Sequence, residues 1–207
     1  MIYYHFLRAD GCLNYPPHTK VEVGQTLRCD GPLELCVNGM HASKRVIDAL
    51  EYAPGEILCE VELGGGLLEC DDKVCARSRT ALSIRDITPI LHEFACRIAE
   101  QALKDHNVTD ERSWNAIATK RRWLIGDATD AELGAARDAA WAATWDAARD
   151  TAWAAARVPA WAAAWTARAA ARDAAWAATR DAAWAAARDA VSDAQNTLLM
   201  QMLEEDE

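Results

Sequence analysis

Glu56-Ile-Leu-Cys-Glu-Val-Glu-Leu63 alternates apolar and acidic side chains over most of its length. Ile57, Cys59, Val61 and Leu63 fall on one side of this pattern, and two glutamates fall on the other. Because successive side chains of a strand point to opposite faces, the alternation predicts a strand with one buried face. The three glycines Gly64–Gly66 follow directly and predict a turn that ends the strand.

Short apolar segments separated by turn signals flank this strand on both sides. Further strands are predicted at Met1–Leu7, Val21–Leu27, Leu33–Val37 and Thr80–Ile84. One helix is predicted among them over Lys44–Tyr52, with Ser43 as its N-cap. Several strands and one short helix indicate a small mixed β domain of the α+β class, covering residues 1–87.

Helix signals dominate the sequence after residue 87. Thr88-Pro89 predicts a helix start, since proline is favoured at the first helical position. A second helix is expected from Thr109 to Gly126, and Thr129-Asp-Ala-Glu132 has the capping-box pattern that opens a third. Residues 88–126 are therefore predicted to be bridging helices that lead into an all-α region over residues 127–207.

Residues 135–191 are near-copies of Asp181-Ala-Ala-Trp-Ala-Ala-Ala-Arg188 and hold seven of the nine tryptophans. Alanine has the highest helix propensity, and the tract contains no glycine and one proline, Pro159. We therefore predict a long or coiled-coil-like helix that kinks or breaks at Pro159. Small residues recur at steps of three and four from Ala136 to Ala154, which favours close packing against another helix. That helix belongs to another chain, to a fold-back or to the preceding helices, and homo-oligomerisation through residues 135–191 is the expectation.

The charge distribution narrows the classes of partner. The net charge is −10, with 7 arginines against 14 acids in residues 127–207 and 15 basic against 18 acidic residues before them. This excess of acids argues against nucleic-acid binding and against a basic helix on a membrane surface. An apolar run of the ~18 residues that a membrane span needs is absent, as is a signal-peptide pattern. The seven cysteines form no Cys-x-x-Cys pair, so reduced thiols and no metal site are expected.

Three motifs resemble those of uncharacterised phage and prophage proteins. They are Asn-Gly-Met-His-Ala-Ser at Asn38–Ser43, Tyr-Ala-Pro-Gly at Tyr52–Gly55 and Asp-Asp-Lys-Val at Asp71–Val74. In those proteins a domain with these motifs precedes a low-complexity tail, as it does here. The resemblance implies an accessory protein in the cytoplasm of a bacterial host cell, and it carries no known activity.

A second resemblance covers roughly residues 3–86. Tyr4-His-Phe-Leu-Arg-Ala-Asp10 is similar to the opening strand of small ADP-ribosyltransferases of the rifampin-modifying type. Met40-His-Ala-Ser43, Gly66-Leu-Leu-Glu-Cys-Asp-Asp72 and Arg77-Ser-Arg79 then follow in the family's order. In that family a histidine holds the NAD ribose, an aromatic residue supports the nicotinamide and an acid assists transfer. The resemblance implies these roles for His5, for His41, where the family has tyrosine, and for Asp71 or Asp72.

Two groups of basic or helix-starting residues are candidate ligand contacts. Ser43, Lys44 and Arg45 stand at a predicted helix start, where free amides favour a phosphate. Arg77 and Arg79 alternate onto one strand face and are spaced to clamp a diphosphate. All the candidate site residues also have purely structural interpretations. His5 fits a core histidine, residues 43–45 a helix start, Asp71-Asp72 a solvated turn, and Arg77 and Arg79 exposed strand arginines.

These observations leave three functional hypotheses. We favour non-catalytic binding of a nucleotide-like ligand or a host protein by residues 1–87, with oligomerisation through the tail. The alternatives are an NAD-dependent ADP-ribosyltransferase and a purely structural assembly protein. If the resemblance to ADP-ribosyltransferases is meaningful, His5, His41 and Asp71 or Asp72 should converge on one cleft, with the Arg77/Arg79 face at its border. A fragment ending at Gly126 is expected to fold by itself.

Overall fold

The computed structural model describes residues 1–105, 107–156 and 191–206, without the side chains of residues 144, 145 and 147–156. Its strands are β1 (Tyr3–Leu7), β2 (Thr26–Arg28), β3 (Met40–Ala42), β4 (Ile57–Glu69) and β5 (Val74–Asp86). Its helices are α1 (Val46–Leu50), α2 (Thr88–Asp105), α3 (Glu111–Leu124) and α4 (Asp130–Ala156). Residues 191–205 are helical as well and are called the C-terminal helix below. The chain is of the α+β class, with its sheet in the N-terminal part and helices after it.

Among the described residues, the five strands form one antiparallel sheet in the order β1-β4-β5-β2, and β3 also pairs with β5. The chain just after β3 returns to β1. The Tyr4 N–H donates to the Ser43 carbonyl over 2.8 Å, and the Ser43 N–H donates to the Tyr4 carbonyl over 2.9 Å. This bridge closes a ring of β1, β4, β5 and β3, so residues of all four strands face a common interior.

The predicted turn at Gly64–Gly66 is wrong. β4 continues through the glycines to Glu69 and pairs with β5 on both sides of them, with register shifts between Glu60 and Val61 and between Gly64 and Leu67. Gly65 and Gly66 have positive φ values of 78° and 96°, which L side chains rarely adopt. The glycines therefore form a bulge that bends a long hairpin, as bulges do. β5 is correspondingly longer than the predicted strand at Thr80–Ile84.

Two other local predictions are wrong: one predicted strand is a turn, and one predicted helix is shorter and starts later than expected. The predicted strand Leu33–Val37 is a tight turn closed by a bridge between Glu34 and Asn38. The helix predicted over Lys44–Tyr52 is reduced to the five residues of α1, and its N-cap is Arg45 instead of Ser43. Ser43 is used for the backbone bridge to β1, so it cannot also start the helix.

Both faces of the sheet are covered near β1. On one face, a core cluster includes Tyr3, Leu7 and Val61, and His5 shares this face by strand alternation. On the other face, Phe6 is paired with Leu58, which is paired in turn with Arg85. Two nitrogens of the Arg85 guanidinium donate to the Leu203 carbonyl over 3.2 Å each, so the C-terminal helix lies against this second face.

The chain divides into two compact units, Met1–Phe94 with Ser192–Glu207, and Ala95–Val191. The first unit thus takes in the end of the region predicted as one helical tail over residues 127–207. Burial explains the difference, since Leu199, Met202 and Leu203 are at most 6% exposed. Burying apolar side chains of this size stabilises the folded chain, which favours packing this end of the chain into the first unit.

The second unit contains the helices that carry the predicted capping box. The Glu132 N–H donates to the Thr129 hydroxyl over 3.2 Å, and the Thr129 N–H donates to the Glu132 carboxylate over 2.8 Å, which confirms the box. In α4, which packs against α3, Ala136 and Ala143 of the alanine stripe are buried. Trp141 is 67% exposed, so the small residues, and not this tryptophan, form the packed side of the helix here.

Part of the predicted repeat region lies outside the described residues. This applies to the kink or break at Pro159 and to the tryptophans that follow it. Among the helices that the structure describes, none combines the length and apolarity that a membrane span requires.

Candidate functional site

A cavity of about 830 Å³ opens within the first unit. Its walls come from β1, the loop after it, β2, β3, the end of α1 with the following loop, and β5. The aromatic, charged and thiol-bearing residues of its lining include His5, Tyr15, Arg28, Cys36, His41, Glu51, Tyr52, Lys73 and Arg79. A volume of this size is in the range of small-molecule sites, roughly 300–1,000 Å³.

Arg79 is the buried cation of this cavity. Its side chain is on β5, opposite Leu27 of β2 and Leu63 of β4, and the residue is 6% exposed. One guanidinium nitrogen donates to the His41 carbonyl over 2.6 Å. No carboxylate pairs with it among the described residues, and burial lowers the pKa of Arg79 to about 10.

His5 is close enough to Arg79 to be affected by its charge. Burial, followed by the charges of Arg79 and His41, lowers the pKa of His5 well below its usual value. Its Nε2 atom is shielded from solvent and has no hydrogen-bond partner among the described residues. Buried polar atoms are nearly always bonded, so an unpartnered one is a marker of strain or of a missing partner molecule.

The imidazole of His41 is fixed by the turn before β3. The Cys36 N–H donates to His41 Nε2 over 3.0 Å, so this nitrogen is an acceptor and the ring is neutral when the bond is made. Burial lowers the pKa of His41, with contributions from Lys73 and Arg79, while a hydrogen bond with the Gly39 backbone raises it. Gly39 has a φ of 145°, and a Cβ there would lie 2.0 Å from Cys75 Sγ, so the turn requires glycine.

The wall beside α1 combines an aromatic ring with a cation. The Lys73 ammonium lies 4.0 Å from the centre of the Tyr52 ring. The Tyr52 hydroxyl donates to Asp72, and this bond lowers the pKa of the Asp72 carboxyl. Tyr52 and Tyr15 are 51% and 79% exposed, so both rings are available for stacking by a planar group.

Positive charge dominates the described lining. Arg28, Lys73 and Arg79 are its cations, and Glu51 is its acid. The cavity lining is therefore positively charged, although the chain as a whole has a net charge of −10. A cavity with such a lining attracts anions more strongly than the rest of the surface does.

The structure brings four of the residues predicted from the sequence to this cavity, His5, His41, Ser43 and Arg79. Asp71 and Asp72 lie outside the cavity lining, although Asp72 reaches its wall through Tyr52. Arg77 is exposed and donates to the Gly31 carbonyl over 2.6 Å, so it does not join Arg79 in a clamp.

The predicted phosphate site at Ser43–Arg45 is taken up by contacts within the chain. Ser43 is one of the lining residues, but its amide N–H is bonded to the Tyr4 carbonyl of β1. Lys44 pairs with Glu69 over 2.5 Å, and Arg45 pairs with Asp48 over 3.2 Å and with Asp193 over 2.6 Å. A helix of five residues offers little dipole to an anion.

Sequence reasoning missed Tyr15, Glu51, Tyr52 and Lys73. Tyr52 and Lys73 fall inside Tyr-Ala-Pro-Gly and Asp-Asp-Lys-Val, two of the motifs quoted in the sequence analysis, and this was the available signal. Their approach across the end of α1 and the β4–β5 turn is a tertiary feature that no local pattern encodes.

Metal and thiol chemistry have little support in the described residues. Within them, no group of three or more histidine, cysteine or acidic side chains is arranged to hold a metal ion. Cys59, the β4 partner of His5, is buried, and this raises the pKa of its thiol to about 11. At neutral pH this sulfur is a thiol and not a nucleophilic thiolate.

Residues 1–93 match a family described as "Domain of unknown function (DUF7666)". The match includes every strand and all the cavity-lining residues named above, and it ends next to Phe94, the last N-terminal residue of the first unit. No curated protein and no solved structure matches the chain. The family description gives a boundary for the domain and no activity.

Proposed function

We propose that the first unit binds a nucleotide-like anion in this cavity without transforming it. The observation that carries the proposal is Arg79, a buried cation in the cavity wall with no carboxylate partner among the described residues. An isolated buried charge is unfavourable unless another group neutralises it. A phosphate placed beside Arg79 supplies that charge.

The geometry of a guanidinium suits this ligand. Arg79 uses one nitrogen on the His41 carbonyl, and a planar guanidinium has five N–H donors in all. The remaining donors match two oxygens of a phosphate in a bidentate arrangement. Such charge-assisted hydrogen bonds are worth about 1.5–3 kcal/mol each in proteins.

The rest of the lining fits the remainder of a nucleotide. Tyr15 and Tyr52 offer exposed aromatic rings to a planar base, and Lys73 adds a cation beside Tyr52 for a second phosphate. His5, whose Nε2 has no partner among the described residues, is a neutral polar group that can bond to a hydroxyl. These are the interactions that orient a nucleotide without requiring a bond to be broken.

The test is a titration of the full chain with NAD, ADP-ribose, AMP and inorganic phosphate. Isothermal calorimetry measures the binding of each probe, and an assay for free nicotinamide measures whether NAD is cleaved. We expect ADP-ribose or AMP to bind with a Kd below about 100 μM, which corresponds to more than about 5 kcal/mol of binding free energy. NAD is expected to be recovered intact. His5→Ala should weaken binding, and His18→Ala, at an exposed histidine outside the lining, should not.

Failure of all four probes to bind at about 1 mM, where a free energy of about 4 kcal/mol suffices, would contradict the proposal. Binding of inorganic phosphate alone, with no gain from the nucleoside, would reduce it to an anion site. Equal affinities for wild type and His5→Ala would place the ligand elsewhere.

An ADP-ribosyltransferase is the second candidate, and the observation in its favour is that His5 and one acid, Glu51, line the same cavity. In that reaction an acceptor oxygen or nitrogen attacks the ribose carbon, nicotinamide leaves, and a base takes the acceptor proton. Asp71 and Asp72, the acids that the resemblance implies, lie outside the lining. Release of nicotinamide that disappears in Glu51→Gln would favour transfer over binding.

Self-association through residues 135–191 stays a prediction. Ala136 and Ala143 of the alanine stripe are buried within this chain, so an intermolecular contact would have to use other positions. Light scattering of the full chain at micromolar concentration measures it directly, and a monomer mass would contradict it.

A further inference from the structure

The N-terminus of α1 is capped by a residue almost 150 positions further along the chain. Arg45, the N-cap residue of α1, makes no side-chain cap hydrogen bond. The amide of Ile47, in the first turn, donates instead to the Asn196 side-chain oxygen over 3.2 Å. The first amides of a helix have no partner within the helix, so the C-terminal helix supplies one that α1 lacks.

Arg45 makes a second connection between the same two segments. Its guanidinium donates to the Asp193 carboxylate over 2.6 Å and also bonds the Ser192 hydroxyl. Asp48 of α1 pairs with the same guanidinium over 3.2 Å. Arg45 therefore holds the start of α1 and the start of the described C-terminal helix together.

The C-terminal helix is itself anchored at its other end. Leu199 is fully buried, and Arg85 donates to the Leu203 carbonyl from β5. Burying a leucine contributes about 1.5–3 kcal/mol, more than an exposed ion pair does. The helix is thus fixed to the sheet by Leu199 and its neighbours, while Asn196 holds α1.

α1 leads directly into a wall of the cavity. Ala49 and the segment Glu51–Pro54 line it, and the Tyr52 N–H donates to the Ala49 carbonyl over 3.2 Å. A helix of five residues is too short to be stable by itself. The position of Tyr52 in the wall consequently depends on whatever holds α1 in place.

We propose that the C-terminal helix positions this wall, with Asn196 and Arg45 as positioning residues, so that the affinity for the anionic ligand depends on residues outside the DUF7666 match. The proposal rests on the function proposed above. Asn196 lies about one hundred residues beyond the end of the matched domain, and it would act on the site through α1 without contacting the ligand.

The test compares Asn196→Ala with Thr197→Ala in the full chain. Thr197 is the exposed neighbour whose hydroxyl bonds within its own helix, so it serves as the matched control. Two quantities are measured, the Kd for ADP-ribose by calorimetry and the hydrogen exchange of the amides of residues 46–54. We expect Asn196→Ala to weaken ADP-ribose binding about tenfold, the equivalent of about 1.4 kcal/mol, at a denaturant-free condition where the chain is fully folded.

Exchange at residues 46–54 should accelerate in Asn196→Ala, whereas exchange of β4 and β5 should stay as in wild type. Asn196→Asp keeps an oxygen acceptor and should restore both the Kd and the protection. Unchanged affinity and unchanged exchange in Asn196→Ala would overturn the proposal. If wild type binds none of the probes, the proposed function fails, and the exchange result still decides whether Asn196 positions α1.

Discussion

Two arginines, Arg121 of the second unit and Arg79 of the first, have opposite surroundings. In the second unit, Arg121 pairs with Glu100 over 2.9 Å, and both side chains keep about a third of their surface in solvent. In the first unit, Arg79 is 6% exposed and has no acid beside it among the described residues. Exposed pairs are cheap to form and contribute little, whereas a buried single charge opposes folding. Arg121 therefore has the solvated ion pair that is usual for an arginine, whereas Arg79 is a buried charge that an anionic ligand would neutralise.

The largest contrast between the units is expected for two apolar side chains. Leu199→Ala removes a fully buried side chain of the first unit and should lower the free energy of unfolding by about 2–5 kcal/mol. Trp141→Ala removes a much larger side chain that is 67% exposed, and should change it by less than about 0.5 kcal/mol. Urea denaturation of both variants measures the difference.

The reverse order, with Trp141→Ala the more destabilising, would mean that Trp141 contributes more to the stability of the chain than Leu199 of the C-terminal helix does. The same burial bears on the fragment that ends at Gly126, which was expected to fold by itself. It lacks Leu199, Met202 and Leu203, so we now expect it to be unstable.

Replacing the two arginines by methionine should change the free energy of unfolding in opposite directions. Arg79→Met replaces a buried charge by an apolar chain of similar length and should raise the free energy of unfolding by about 1–2 kcal/mol, after the loss of about 1 kcal/mol for the hydrogen bond to the His41 carbonyl. Arg121→Met breaks a solvent-accessible pair and should lower it by less than about 1 kcal/mol. A destabilised Arg79→Met would show that its charge is already compensated inside the protein.

A smaller effect is expected from pH. Burial lowers the pKa of His5 well below its usual value of about 6.5, so the folded state binds a proton less readily than the unfolded chain does. Stability is therefore complete above about pH 6.5 and is lost as the pH falls through this value. Between about pH 7.5 and about pH 5.5 His5 should therefore lower the free energy of unfolding by on the order of 1 kcal/mol.

His5→Gln, which does not titrate, should show a flatter dependence of the unfolding midpoint on pH over this interval. Arg79 acts in the same direction, because its charge is one of the causes of the lowered pKa of His5. Parallel pH profiles for wild type and His5→Gln would mean that the pKa of His5 is the same in the folded and unfolded states.

The sequence predicted those parts of the fold that depend on local pattern. The alternation Ile57–Leu63 predicts a strand and Thr129–Glu132 predicts a helix start, and both are present. The glycines Gly64–Gly66 were misread because a bulge inside a hairpin and a turn at its end require the same residue type. Their difference lies in the partner strand, which is not a local property.

The site divides in the same way. His5, His41 and Arg79 line one cavity because β1, β3 and β5 are joined around the closed ring of strands. Asp72 was a candidate by its place in a motif, but the β4–β5 turn directs it to Tyr52 instead. The dependence on Asn196 was not predictable, since nothing in a helical tail signals that its last turns return to the first domain.

The most direct measurement of the central claim is calorimetric titration of ADP-ribose into wild type, Arg79→Met and Arg77→Met. The two arginines are on the same strand, and Arg77 is exposed and bonded to the Gly31 carbonyl. The buried-cation account predicts that Arg79→Met loses at least about 100-fold in affinity, the equivalent of about 2.7 kcal/mol, while remaining folded, and that Arg77→Met binds as wild type does. Equal loss in both variants, or undiminished binding in Arg79→Met, would contradict it.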